Sequence, residues 1–206
     1  MYTVIGKPGW GSAIVEAALV QAGQPYRTED VDPTQPGPAR DRLLALNPLG
    51  QVPTVLMPDG SVMTESAAIV LHLADVAPGC GLAPAADDPL RPAFLRWLVF
   101  LVAAIYPTFT YGDDPGRWVD GEAAAKSLRA HTDAHREASW RQVEAAAAMP
   151  WFLGAQFSAL DIYIGVMTRW RPRRDWFAAQ CPKLTAIAAA AERRPDLAPA
   201  WRRNVV

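Results

Sequence analysis

Hydrophobic positions along this 206-residue chain change their period near residue 78. Before it, short β-branched and aromatic runs alternate with helical spacing. "YTVIG" (2–6) predicts a strand and "KPGWG" (7–11) breaks it. "SAIVEAALVQAG" then sets Ile14, Val15, Ala17, Ala18 and Leu19 on helical spacing, with Gly23 as its stop. "PYRTEDVDP" (25–33) predicts a second strand, and "PARDRLLALNP" a short, partly helical connection ended by Pro48. "VPTVLM" and "SVMTE" flank the turn sequence Pro58-Asp59-Gly60 and predict an antiparallel hairpin. "SAAIVLHLADVAP" returns to helix. The order β, α, β, α, β, β, α predicts a compact α/β domain with a mixed sheet over residues 1–78.

Between residues 79 and 91 Pro, Gly, Ala and Asp dominate, which predicts a linker. From 92 to 206 no strand pattern survives. "RPAFLRWLVFLVAAIY", "GEAAAKSLRAHTDAHREASWRQVEAAAA", "LDIYIGVMTRW" and "CPKLTAIAAAAERR" are helical by period and alanine content, so an all-α domain is expected.

Composition narrows the class. Lys and Arg number 20 and Asp and Glu 21, a net charge of −1, so nothing points to nucleic acid or an acidic membrane surface. No signal-like segment opens the chain, and no apolar stretch reads as long enough to span a bilayer uninterrupted; a soluble cytoplasmic protein is expected. Cys80 and Cys181 stand far apart without His or Cys neighbours at ligand spacing, so neither a disulfide framework nor a metal site is indicated. His131 and His135, four apart on one helix, lack further ligands.

"NPLGQVPTV" (47–55) places a proline at the opening of a strand. Pro53 reads either as an edge-strand proline or as a cis turn that leaves the backbone of Val52 unpaired, free to bind an extended ligand as one more strand. "TESAAI" puts Glu65 and Ser66 at a helix start. There a hydroxyl and first-turn N–H groups suit a carboxylate and the acidic side chain suits an ammonium; a plain helix cap is the other reading. "SALDIYIG" carries Ser158 as N-cap and Asp161 at N3, a capping box, with Phe157 and Ile162 placed as a staple.

These three motifs in order, over essentially the whole chain, resemble the cytosolic glutathione transferase family, bacterial in type. The resemblance implies a thioredoxin-like α/β N-terminal domain that binds glutathione as co-substrate, followed by an all-helical domain. It implies a cis Pro53, Val52 pairing with the cysteine of the tripeptide, Glu65 and Ser66 on the γ-glutamyl end, and Gln51 towards the glycine end. Lys7 and Arg40 are weaker candidates for that carboxylate. It also implies a homodimer, no metal, and a detoxifying attack of the glutathione thiolate on an apolar electrophile.

Family classes differ in the hydroxyl or thiol that faces the sulfur. No tyrosine ends the first strand here, and Gly11 stands where cysteine-type classes carry cysteine. Ser12 matches the serine-type position, and is the candidate catalytic donor; it also reads as an N-cap of the first helix. Trp10, Tyr106 and Tyr111 are candidate walls of the electrophile pocket, from an aromatic cluster that includes Phe109 and Trp118. The Arg-rich "TRWRPRRDW" reads first as solvated or ion-paired charge. Two alternatives stay open: a non-catalytic binding or protein-interaction module on the same scaffold, and a glutathione-dependent isomerase, lyase or peroxidase.

Overall fold

A computed structural model describes residues 1–204. The apolar run Tyr2–Gly6 forms β1, buried along its whole length. It lies inside a four-stranded sheet of order β2-β1-β3-β4, parallel to β2 (Tyr26–Asp30) and antiparallel to β3 (Thr54–Leu56), which pairs antiparallel with β4 (Val62–Met63). A strand flanked on both sides and covered on both faces has no solvent side, which is why β1 is apolar throughout rather than alternating. Its parallel pairing with β2 needs a crossover, and α1 (Ser12–Gln21) supplies it.

Helix α1 is buried from Ser12 to Leu19, because it lies between the sheet and the helical half of the chain. α2 (Pro38–Leu46) covers the opposite face, where Leu43 joins Ile5 and Val31 in a small separate core. α3 (Ser66–Val76) packs beside α1 through Ile69, Val70 and Leu73.

The segment that follows α3, residues 77–90, is more than a tether. Leu82 is fully buried, its carbonyl accepts the N–H of Ala159 at 2.8 Å, and Gln21 Nε2 donates to the Cys80 carbonyl. One main core accordingly runs from Tyr2 to Trp201 through both halves.

Helix α4 (Arg91–Phe100) continues through a π turn, Leu101–Ile105, into α5 (Tyr106–Gly112). Pro107 has no N–H to return to the preceding turn, and at its threshold the Tyr106 N–H bonds back five residues to the Leu101 carbonyl. The rod Arg91–Gly112 is therefore longer than expected from its pattern. Its 22 residues are long and apolar enough to cross a membrane by length and composition, which corrects the sequence expectation. In this fold its buried side, Phe94, Trp97, Leu98, Leu101 and Ile105, joins the main core.

The remaining helices are α6 (Glu122–Ala146), α7 (Ala159–Met167), α8 (Arg174–Gln180), α9 (Pro182–Glu192) and α10 (Ala198–Asn204). All nine residues of α7 are buried. The capping box starts it: Leu160 N–H donates to Ser158 Oγ and Ser158 N–H to Asp161 Oδ2 at 2.8 Å. Phe157 packs edge-on against Trp151 and beneath the Arg194 guanidinium. Helices α8 and α10 have no counterpart in the sequence pattern, and α10 proves to matter for the site.

Candidate functional site

The loop Lys7–Gly11 leaves β1 and enters α1, and the chain holds it from three sides. Lys7 Nζ pairs with Asp32 at 2.5 Å and lies 4.8 Å from the centre of the half-exposed Trp10 ring. That pairing, with Thr34 bonds, holds the Asp32 carboxyl down at about 2, so Lys7 is occupied rather than free for a ligand carboxylate. Gly9, at φ +76°, donates its N–H to Asn204 Oδ1 at 3.0 Å and accepts Trp170 Nε1 on its carbonyl at 2.7 Å.

Ser12 is fully buried, and its hydroxyl donates to the Lys7 carbonyl at 2.8 Å. A Cβ placed on Gly6 would fall 2.2 Å from Ser12 Cβ, so the serine side chain lies against the strand. In this structure the one proton of Ser12, the residue expected as catalytic donor, closes the loop on the Lys7 carbonyl. Ser12 is the first residue of α1 and the preceding cap residue is Gly11, so the plain N-cap reading fails.

Gly11 faces the cleft in its stead. A Cβ there would lie 3.2 Å from Pro53 Cδ, 3.3 Å from the Val52 carbonyl oxygen and 3.6 Å from the Tyr106 hydroxyl. The Val52–Pro53 peptide bond is cis, and β3 begins only at Thr54. Among the described residues neither the N–H nor the C=O of Val52 has a hydrogen-bond partner. Asn47 organises the approach to it, donating from Nδ2 to the Gln51 carbonyl and to Thr54 Oγ1, each at 3.1 Å. Gln51 keeps its side chain exposed. Arg40 bonds the Pro33 carbonyl through Nε.

Glu65 and Ser66 lie at the start of α3, as their sequence position requires. Glu65 takes φ +64°, ψ 101°, a backbone conformation that a glutamate rarely adopts, and its side chain is exposed. Ser66 is buried, and its Oγ accepts the Tyr163 hydroxyl at 2.7 Å, which leaves the serine proton for a second partner. Tyr163 belongs to the capped helix α7, so that helix reaches the site as well as building the core. Sequence reasoning missed Tyr163, Trp170 and Asn204; each holds Ser66 or Gly9 from far along the chain, and no local pattern marks them.

The aromatic cluster expected from 106 to 118 divides in two. Tyr106 stacks on Trp170 with centroids 5.7 Å apart, and Phe109 meets the same indole edge-on at 5.4 Å. Tyr111 packs edge-on against Trp118 and lines an open groove with His131 and His135 of α6. Tyr111, expected beside Tyr106 and Trp10 in one pocket wall, thus points to a different side of α5 from Tyr106.

Charge elsewhere is largely spent. Arg169 and Arg174 share Glu192, and Arg171 pairs with Asp113. Cys181 is buried, and burial pushes its thiol up to about 12. Among the described residues no three His, Cys, Asp or Glu side chains are grouped to hold a metal ion.

Residues 12–76 match the model of the glutathione S-transferase N-terminal domain. Over the full length of both chains the protein is 38% identical to the uncharacterized GST-like protein YncG of Escherichia coli (strain K12). It is 28% identical to the glutathione S-transferase GstA of Escherichia coli O157:H7, covering 80% of this chain and 79% of that one. Among solved structures, a glutathione transferase homolog from Sulfitobacter with bound glutathione superposes at a TM-score of 0.86 and 27% identity, covering 100% of this chain and 99% of its own. A cleft with an unpaired Val52 backbone, an acidic residue and a serine opening α3, and a full-length relative at this identity lead to one statement: the chain belongs to the glutathione transferase family.

Proposed function

We propose that the protein joins the sulfur of glutathione to an electrophilic carbon of an apolar co-substrate. The observation that carries the reading is the unpaired backbone of Val52, with Tyr106 between it and the Glu65–Ser66 corner. A γ-glutamyl peptide has a main chain to pair with Val52, an ammonium for Glu65 and a carboxylate for Ser66 and the first N–H groups of α3. Gln51, at the exposed end, is assigned to the glycine carboxylate. Trp10 and the Tyr106–Phe109–Trp170 stack offer apolar surface for the co-substrate. In the reaction the thiol proton leaves to solvent, the sulfur pair forms the C–S bond, and the leaving group departs with its bonding pair. A homodimer and a cytoplasmic, detoxifying role go with this reading.

Calorimetry with glutathione and with its isomer carrying an ordinary α-linked glutamate tests the reading. Binding of the γ-linked peptide alone, with turnover of an aryl halide, supports it; equal binding of both removes the Glu65–Ser66 assignment. One observation favours a second reading, a non-catalytic glutathione-binding module: the Ser12 proton is spent on Lys7 and Gly11 brings no side chain. Tight binding with no turnover of any electrophile would favour it.

A further inference from the structure

We propose that the Tyr106 hydroxyl, reaching across from the helical half, is the group that donates to the ligand sulfur beside Gly11. This rests on the glutathione reading above and assigns to Tyr106 the role first expected of Ser12.

Three observations meet at one point. The Tyr106 hydroxyl is closed off from solvent and makes no hydrogen bond of full geometry among the described residues, with Ser66 as its polar neighbour, whereas the hydroxyls of Thr108 and Tyr163 donate to the Ile105 carbonyl and to Ser66 Oγ. A native fold rarely leaves such a group orphaned unless something absent from the free protein completes it. The hydroxyl is also aimed: it lies 3.6 Å from where a Cβ on Gly11 would be, a position that is 3.3 Å from the Val52 carbonyl oxygen and 3.2 Å from Pro53 Cδ. On the proposal, a peptide that pairs its cysteine backbone with Val52 turns its thiol towards Gly11, and the closed-off hydroxyl opens to it on binding. The aim, finally, is built into the helix. The π turn Leu101–Ile105 ends on Tyr106 and rotates it relative to a regular helix, and stacking on Trp170 fixes the ring.

The chemistry suits a donor and not a base. Burial pushes the phenol well above its ordinary pKa, eased by the nearby Ser66 and reinforced by the Glu65 charge, so the O–H stays protonated at every working pH. A neutral O–H facing sulfur favours the thiolate over the thiol. The proton released on ionisation goes to water, and the phenol keeps its own.

Tyr106→Phe tests this, with three readings on the full chain: glutathione affinity by calorimetry, the thiol pKa of the bound peptide by thiolate absorbance against pH, and thermal midpoint. The expected result is glutathione bound within about threefold of the wild type and a thiol pKa raised by about one to two units. The midpoint without ligand should be unchanged or higher, because the free phenol has no hydrogen bond of full geometry to lose; a merely structural tyrosine would lower it. Ser12→Ala should leave the bound thiol pKa where it is. A bound thiol pKa unmoved in Tyr106→Phe overturns the Tyr106 assignment and leaves the glutathione reading standing. No glutathione binding to the wild type at millimolar concentration overturns both.

Discussion

Asn204, in the last helix, accepts the Gly9 N–H on its Oδ1 at 3.0 Å, so the end of the chain holds the first loop. Arg203 beside it pairs with the buried Glu16 of α1 at 3.1 Å and with Asp30, and Trp170 Nε1 donates to the Gly9 carbonyl. The loop that carries Gly11 is thus clamped by residues from the second half, Asn204 and Arg203 on α10 and Trp170 in the turn after α7. Asn204→Ala leaves the Gly9 N–H without its partner and also breaks the Asn204 bond to the Ala200 carbonyl. The expected loss is about 1–3 kcal/mol in urea unfolding. Turnover should fall more than glutathione affinity, because the clamp fixes the loop rather than the Glu65–Ser66 corner. Equal loss in both would show that α10 supports the whole cleft.

Glu65 carries its backbone at φ +64°, ψ 101° without being glycine. Strain of this kind is on the order of 1–3 kcal/mol, and it persists where the side chain has a use. Glu65→Gly should therefore leave the thermal midpoint unchanged or raise it, since relief of strain offsets the greater freedom of the unfolded chain. Glutathione affinity should drop by about tenfold or more with the lost carboxylate. Glu65→Gln separates the two effects: it keeps the strain, and should lose affinity with no gain in midpoint. A midpoint lowered by the glycine would show that the conformation is not strained here.

Tyr163 lies 97 positions from Ser66 and donates to it at 2.7 Å inside the core. Tyr163→Phe should lower stability by about 1 kcal/mol through the lost bond. It should also weaken glutathione, because Ser66 is then free to rotate away from the cleft. Calorimetry and urea unfolding of one sample measure both. Undiminished affinity would mean that the N–H groups of α3 hold the carboxylate without the serine.

What could be read in the sequence follows from what is local. Strand and helix periods, the proline before β3, the acidic-serine pair at a helix start and the capping box each lie within a few residues, and their physics acts over that range. Where Ser12 and Tyr111 point is a tertiary matter. Ser12 shares a helix start with Gly11, and only the packing of Gly6 decides which residue faces the cleft. Tyr111 shares an aromatic run with Tyr106, and a π turn followed by proline sets where that run points. Helix α10 went unread because seven residues with a proline inside carry no period of their own. The unpartnered Tyr106 hydroxyl has no signature in one dimension at all.

The buried carboxyl of Asp161 gives a pH signature of known sign. It accepts the N–H groups of Phe152 at 2.7 Å and Ser158 at 2.8 Å, yet burial outweighs these bonds and raises its pKa from 3.8 to about 6. Below the lower value the group is protonated in folded and unfolded chains alike and contributes no difference. Between the two values the folded protein holds the proton and the unfolded chain does not, so this group's contribution to stability falls as pH rises, and it levels off above about 6. Other carboxylates titrate in the same range, so the informative quantity is the difference between wild type and Asp161→Asn, which keeps one acceptor oxygen and cannot ionise. That difference should move against the wild type by a few kcal/mol at most from pH 4 to pH 6, or about 1.4 kcal/mol per unit of pKa shift. Movement in favour of the wild type over the same range would show that the two N–H groups hold the anion more strongly than burial opposes it, and that the cap of α7 is fully charged in the native protein.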